Sequence, residues 1–265
     1  SVDGVDLKLW IFEPPGHQAN DRRPAIVFYF GGGWNGGSPE QFVEHSKYLA
    51  SRGMVAMTAD YRVRGRHGVT ADKCVQDAFA ALRWVRTNAS RLGVDPERIA
   101  AAGGSAGGHL AAAIATLPGH DDPAGDKTVS ARPNALALYN PATILAPAPG
   151  FEAFEARRAE LAERMGAPPE TMSPYHHIAK GTPPAVVFHG KADTTVPYAT
   201  AEAFCRKMRD NGNRCELFGY EGAAHGFFNF SRPDKAPFRS TLRRTDEFFA
   251  SLGWLMGEPT LGAAE

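Results

Sequence analysis

The sequence predicts an α/β fold, a mostly parallel central sheet with helices on both faces. Short β-rich runs alternate with segments of helical spacing along all 265 residues, which is the pattern of strand–helix–strand units. The inner runs are almost continuously apolar, as parallel strands buried on both faces must be. The run Arg98–Ala115, "RIAAAGGSAGGHLAAAIA", passes from strand to glycine-rich turn to alanine-rich helix within a few residues.

Taken in order, the predicted strands are DLKLWIF (6–12), PAIVFYF (24–30), VAMTAD (55–60), RIAAAG (98–103), ALALYN (135–140), AVVFHG (185–190) and CELFGY (215–220). Between them, Gln41–Ser51 and Thr70–Leu92 read as helices, the second with Val75, Ala78, Phe79, Leu82 and Val85 at helical spacing. Ala106–Thr116, Tyr198–Asp210 and Pro237–Ser251 read the same way. The segment 146–184 breaks the rhythm: it is rich in Pro and Ala and shows one helix, Phe151–Met165, and no strand. It follows ALALYN and so leaves the sheet near strand carboxyl ends, where ligands bind in open α/β folds. It reads as a lid or cap inserted into a single domain spanning 1–265; the alternative is an ordinary surface excursion.

Composition narrows the function classes. Hydrophobic residues make up 43% and charged residues 22%, a globular balance that needs no metal or disulfide to hold a core of this size. The formal net charge is zero, so no basic field draws in nucleic acid. The longest apolar runs are too short to span a bilayer. None of Cys74, Cys205 and Cys215 forms a CxxC pair. Cys205 lies on a helical pattern and Cys215 opens the next strand, with the turn RDNGNR between them. The pair reads as a disulfide across a helix–strand contact, or as two small buried residues. A bridge would point to a secreted or periplasmic, oxidising compartment; localisation and oligomeric state are otherwise not written in the chain.

The stretch Phe28–Ser38, "FYFGGGWNGGS", places five glycines just past a strand. Glycine is costly to order, so such a cluster serves either positive φ or a close approach to the backbone. A second cluster gives the approach a chemical reason. Gly103, Ser105 and Gly107 form G-x-S-x-G between a strand and a helix, the context in which a sharp turn exposes a nucleophilic serine and the helix N-terminus faces developing negative charge.

A serine hydroxyl needs a base, and the base an orienting carboxylate. With an elbow of this kind they follow in the order acid, then histidine. Asp193 stands in "HGKADTTVPY", in a turn past a buried strand, and His225 in the loop "GYEGAAHGFF", 88 and 32 residues further on in turn. Asp193 also reads as a helix-start acid before Pro197, in which case Glu221 is the alternative orienter. Among the other histidines, His189 and His109 read as packing residues, while His176 and His177 stand in the segment that could face substrate. No spacing of H-E-x-x-H type suggests a metal site.

These motifs, GGGW, DYR (60–62), GVDPERI, GGSAGGHLA, HGKADTTVP and HGF, occur in order over nearly the whole chain. Together they resemble the α/β-hydrolase esterase/lipase group related to hormone-sensitive lipase and to carbohydrate acetyl and feruloyl esterases. The resemblance implies a Ser105–Asp193–His225 triad and an oxyanion hole made by the backbone N–H groups of Gly32, Gly33 and Ala106. It implies a serine carboxylic-ester hydrolase for short-acyl esters, carbohydrate-linked ones among them, that works through an acyl-enzyme and needs no cofactor. The expected partner is a small-molecule or carbohydrate-linked ester. Trp34, Phe227 and Phe228 are expected at the rim of a small acyl pocket. The group has His before its glycines where this chain has Phe30, so the loop must be braced by packing here. Two alternatives share the motifs. A serine peptidase of the prolyl-oligopeptidase type usually carries a propeller for which 265 residues leave no room; a ligand-binding module that has lost catalysis would not need the intact Ser, Asp and His.

Overall fold

The computed structural model describes residues 2–117, 119–121, 123 and 125–261. A seven-stranded sheet runs through its centre in the spatial order β1-β3-β2-β4-β5-β6-β7. The strands are β1 (Leu9–Phe12), β2 (Arg23–Tyr29), β3 (Val55–Ala59), β4 (Val94–Gly104), β5 (Ala135–Tyr139), β6 (Ala185–Gly190) and β7 (Cys215–Tyr220). β1 pairs antiparallel with β3, and every other neighbouring pair is parallel. Each run predicted as a strand coincides with part or all of one, and β4 begins four residues before its run. Every residue of β2 after Arg23 is buried, as are all of β3, β5 and β6.

The helices are α1 (Val43–Ser51), α2 (Arg64–His67), α3 (Ala71–Thr87), α4 (Ala106–Thr116), α5 (Arg158–Met165), α6 (Tyr198–Asp210) and α7 (Ala236–Ser251). The alternation along β2 assigns them to layers. Val27 and Tyr29 share a core with residues of α3, α4 and α6, while Ile26 and Phe28 share one with residues of α1 and α7. The helix predicted over 70–92 stops at Thr87. There the Asn88 side-chain amide donates to the Trp84 carbonyl, and the Leu92 amide bonds back to Asn88 in a turn that feeds β4. The helix predicted from Phe151 begins as a 3-10 turn (Glu152–Arg157) before α5. α2 and the 3-10 turns Pro169–Met172 and Pro174–His177 were not predicted, being too short to show a period.

The strand order reverses between β2 and β4. β3 lies on one side of β2, and the chain then crosses to build the rest of the sheet on the other side. A crevice opens where neighbouring connections diverge in this way, and it lies at strand carboxyl ends. The glycine-rich stretch leaves β2 there, and Ser105 follows β4 there. The segment 146–184 leaves after β5 and returns before β6, carrying α5, three 3-10 turns and no strand. Leu161, Met165 and Met172 are its buried anchors. Cys205 of α6 and Cys215 of β7 are joined by a disulfide with Cα atoms 5.2 Å apart, and Cys74 is a buried free thiol on α3.

His45 on α1 is fully buried, with its ring against Phe42 (centroids 4.9 Å) and Phe238 (4.8 Å) and close to Tyr139. Neither ring nitrogen has a hydrogen-bond partner among the described residues. Burial therefore pushes its pKa down to about 3, whereas an unfolded histidine titrates near 6.5. A depressed folded pKa gives stability that is fully present above about pH 6.5 and is lost as pH falls toward about 3. The protein should therefore melt at progressively lower temperature from pH 7 to pH 4. His45→Phe, which keeps the aromatic packing and removes the proton site, should flatten part of that slope. An unchanged slope in thermal melts of this variant would show that His45 is not a source of acid lability.

Candidate active site

The site is built on close backbone crossings at the ends of β2 and β4. Ser105 has φ 53° and ψ −115°, a sterically costly conformation for a residue with a side chain. Glycines allow the surrounding approach. A Cβ on Gly107 would stand 2.0 Å from the Tyr29 carbonyl oxygen, and one on Gly103 would stand 2.4 Å from the Gly107 backbone. The turn is held from the next strand, because the Ser105 amide donates to the Tyr139 carbonyl at 2.8 Å.

The structure brings the three sequence-predicted side chains into one line. His225 Nε2 lies 2.9 Å from Ser105 Oγ, and its Nδ1 lies 2.7 Å from Asp193 Oδ2. Nδ1–H donating to the carboxylate leaves Nε2 as acceptor for the serine proton. Asp193 sits past the end of β6 with its side chain wholly buried. Burial alone would push its carboxyl up. Hydrogen bonds from His189, His225 and the Val196 amide outweigh that and hold it well below the usual carboxylate range. The Thr195 amide and the Asn140 side-chain amide donate as well, at 2.9 and 2.8 Å. Glu221, the alternative acid, is instead exposed and paired with Lys191.

Gly32 and Gly33 have φ of 129° and 63°, and a Cβ on Gly32 would collide with the Gly36 carbonyl oxygen at 2.3 Å. Their amides have no protein acceptor among the described residues. Ala106 opens α4, so its amide is one of the N–H groups that a helix start leaves unpaired. The loop that carries the glycines is braced from several sides. Phe30 is buried and stacks on Tyr61 with ring centroids 4.0 Å apart, and the Tyr61 hydroxyl donates to the Phe30 carbonyl. Gln41 Oε1 accepts from the Gly31 amide at 2.6 Å, while its Nε2 donates to Asn229 in the loop that carries His225.

A cavity of about 370 Å³ opens beside Ser105. Trp34, Ile144, Leu145, Phe154 and Leu161 give it apolar walls, and Arg157 and Arg164 of the 146–184 segment also line it. Trp34 lines this cavity. Phe227 and Phe228 do not. Both are buried in the core shared with α7, where Phe227 packs on Tyr220 and Phe228 packs against Phe42 and Tyr139. The apolar run that suggested a pocket rim marks core packing beneath His225. His176 and His177 do not line this cavity either. His176 bonds Ser173 Oγ and the Pro147 carbonyl, and His177 bonds the Glu170 carbonyl, so they tie their own segment together. His109 and His189 are buried, as expected of packing residues.

Sequence reasoning missed the supporting residues Asn140, Gln41 and Arg164. Asn140 carried a signal, a polar residue at the carboxyl end of an otherwise apolar strand. Among the described residues no group of three or more His, Cys, Asp or Glu side chains is placed to hold a metal ion, and no helix is long and apolar enough to cross a membrane.

Comparison with known proteins places the chain among esterases. A family model described as BD-FAE matches residues 9–208. Carboxylesterase NlhH of Mycobacterium tuberculosis is 31% identical over 250 residues, covering 86% of this chain and 74% of the relative. A thermophilic esterase of the Planctomycetes species Thermogutta terrifontis, solved with propionate bound, is 51% identical with a TM-score of 0.92, covering 97% of this chain and 93% of that one. The same organism's esterase 2, solved phosphorylated by paraoxon, is 50% identical with a TM-score of 0.90 over 97% and 93% of the two chains. The strained serine turn, the parallel sheet and these matches together identify the chain as a serine carboxylic-ester hydrolase of the α/β-hydrolase fold, and it belongs to the BD-FAE family.

Proposed function

We propose that the protein hydrolyses short-acyl carboxylic esters through an acyl-enzyme on Ser105. The observation that carries this reading is the unbroken hydrogen-bonded line from Ser105 Oγ through His225 to Asp193, at the mouth of a cavity of about 370 Å³. Ser105 Oγ attacks the ester carbonyl carbon as its proton passes to His225 Nε2. The carbonyl oxygen becomes an oxyanion and accepts from the amides of Gly32, Gly33 and Ala106. The intermediate collapses, the alcohol leaves with the proton held by His225, and the acyl group stays on Ser105. Water then gives a proton to His225 and attacks the acyl carbon, and the acid leaves as Ser105 recovers its proton. Asp193, ionised throughout the neutral range, holds the imidazole tautomer and stabilises its charged form.

The small apolar cavity supports a short acyl group, and so does the propionate held by the Thermogutta terrifontis esterase. The carbohydrate-linked alcohol, acetylated or feruloylated, rests on the family resemblance. The segment 146–184 acts as a cap over this cavity, with α5 as its inner wall.

A series of p-nitrophenyl esters from acetate to dodecanoate tests the acyl reading. kcat/KM should peak at two to four carbons and fall beyond; a maximum at the long chains would overturn it. Acetylated xylan and methyl ferulate, run alongside, decide between acetylated and feruloylated carbohydrate. In the same assay Ser105→Ala and His225→Ala should each lose more than about a thousandfold in kcat, and Asp193→Asn less than either. Wild-type turnover by the Asp193 variant would remove it from the machinery.

Phe30→Ala should cost about 3–5 kcal/mol of stability, as large buried truncations do. It should also lower kcat, because the glycine loop loses its stacked support. Phe30→His should be milder on both counts. A stable and fully active Phe30→Ala enzyme would show that the ring is no brace.

A further inference from the structure

The corner that carries the Gly33 amide is left-handed at two consecutive residues, and the second carries a side chain. Gly33 has φ 63°, and Trp34, a bulky residue with a side chain, has φ 58°. A left-handed conformation at a bulky residue persists only where the surroundings over-determine it. Here much of the holding comes from the 146–184 segment. Arg164 of α5 donates from Nη2 to the Gly33 carbonyl at 2.8 Å, and its guanidinium stands 5.1 Å from the centre of the Trp34 ring. The contact is so close that a Cβ on Gly33 would lie 2.6 Å from that nitrogen. The Trp34 indole N–H donates to His109 Nδ1 at 3.1 Å, and His109 Nε2–H donates to the Met172 carbonyl at 2.7 Å. The segment therefore grips one corner twice, directly through Arg164 and through His109 from Met172.

We propose that Arg164 is a positioning residue for the oxyanion hole. By clamping the Gly33 carbonyl and the Trp34 ring it fixes the orientation of the Gly33 residue, so that the hole is complete only when α5 is docked. This makes the cap a structural part of the catalytic apparatus as well as a wall of the acyl cavity. The inference rests on the reading that Gly33 is an oxyanion donor. Arginine suits the task, because one planar group can both stack on an indole face and aim a donor at a carbonyl. Lysine can supply a donor and a charge but not the fixed fork.

The test compares wild type, Arg164→Lys and Arg164→Met with p-nitrophenyl propionate and with a short alkyl trifluoromethyl ketone. The ketone takes up Ser105 Oγ as a hemiketal: the Oγ–C bond forms, the serine proton passes to His225, and the carbonyl electron pair becomes an oxyanion. Misplacing an oxyanion donor should lower kcat of Arg164→Met by about 10- to 100-fold with KM changed less than threefold. The ketone Ki should rise by a similar factor, and Arg164→Lys should recover part of both. The melting temperature of each variant separates loss of fold from loss of positioning. Wild-type kcat and Ki in a folded Arg164→Met enzyme would overturn the proposal, and so would a loss confined to KM. The reading beneath it fails in a different way. If wild type binds the ketone no more tightly than it binds substrate, the glycine loop is not an oxyanion hole at all.

Discussion

The structure depends on one backbone crossing. Ser105 can stand at φ 53° only because α4 starts within contact distance of the end of β2, and Gly103 and Gly107 remove the Cβ atoms that would forbid that approach. The same crossing brings the glycine loop against the serine turn, where a Cβ on Gly31 would stand 2.9 Å from the Gly104 carbonyl oxygen. Strain of this kind costs roughly 1–3 kcal/mol per residue and must be held from outside. The holding bond runs from the Ser105 amide to the Tyr139 carbonyl, so β5 fixes the serine that β4 delivers. The β2 and β4 strands are in register through Tyr29 and Gly103, which keeps the two loops level at the sheet edge.

Around this crossing the carboxyl ends of five of the six parallel strands each contribute one part. β2 brings the glycine loop, β4 the serine, β5 Asn140, β6 Asp193, and β7 His225. Asp193 shows why so many are needed. A buried carboxylate without donors would take up a proton. This one receives them from the Thr195 and Val196 backbone amides, from Asn140 and from His225, and it stays ionised. In the proposed mechanism its charge favours the imidazolium that forms when His225 accepts the serine proton. The glycine loop is likewise held by groups from elsewhere in the chain: Gln41, Tyr61, His109 and Arg164.

Much of this was legible in the chain. The strands were visible as apolar runs because parallel strands buried on both faces leave no polar alternation. The elbow was visible because its sterics demand small residues at fixed spacing. The order of acid and histidine then led to Asp193 and His225, which the structure brings to Ser105. The supports were not legible. Arg164 meets Gly33 across 131 residues and Gln41 meets Asn229 across 188, and neither pair leaves a local pattern. Phe227 and Phe228 misled for a related reason. Aromatic residues after a catalytic histidine look the same in sequence whether they turn toward substrate or toward the core, and here they fill the layer under α7. His176 and His177 are polar groups in a segment that covers the cavity, but backbone carbonyls of that same segment use their donors.

The central claim is that Ser105 Oγ is the nucleophile of this carboxylesterase. Labelling with paraoxon followed by peptide mass spectrometry tests it most directly, because the Ser105 Oγ–phosphorus bond forms as the phosphorus–aryloxide bond breaks. One diethylphosphoryl group per chain on Ser105, with p-nitrophenol released in equal amount and esterase activity lost in step, is the predicted result. Loss of activity with the label on any other residue, or with Ser105 unlabelled, would contradict the account.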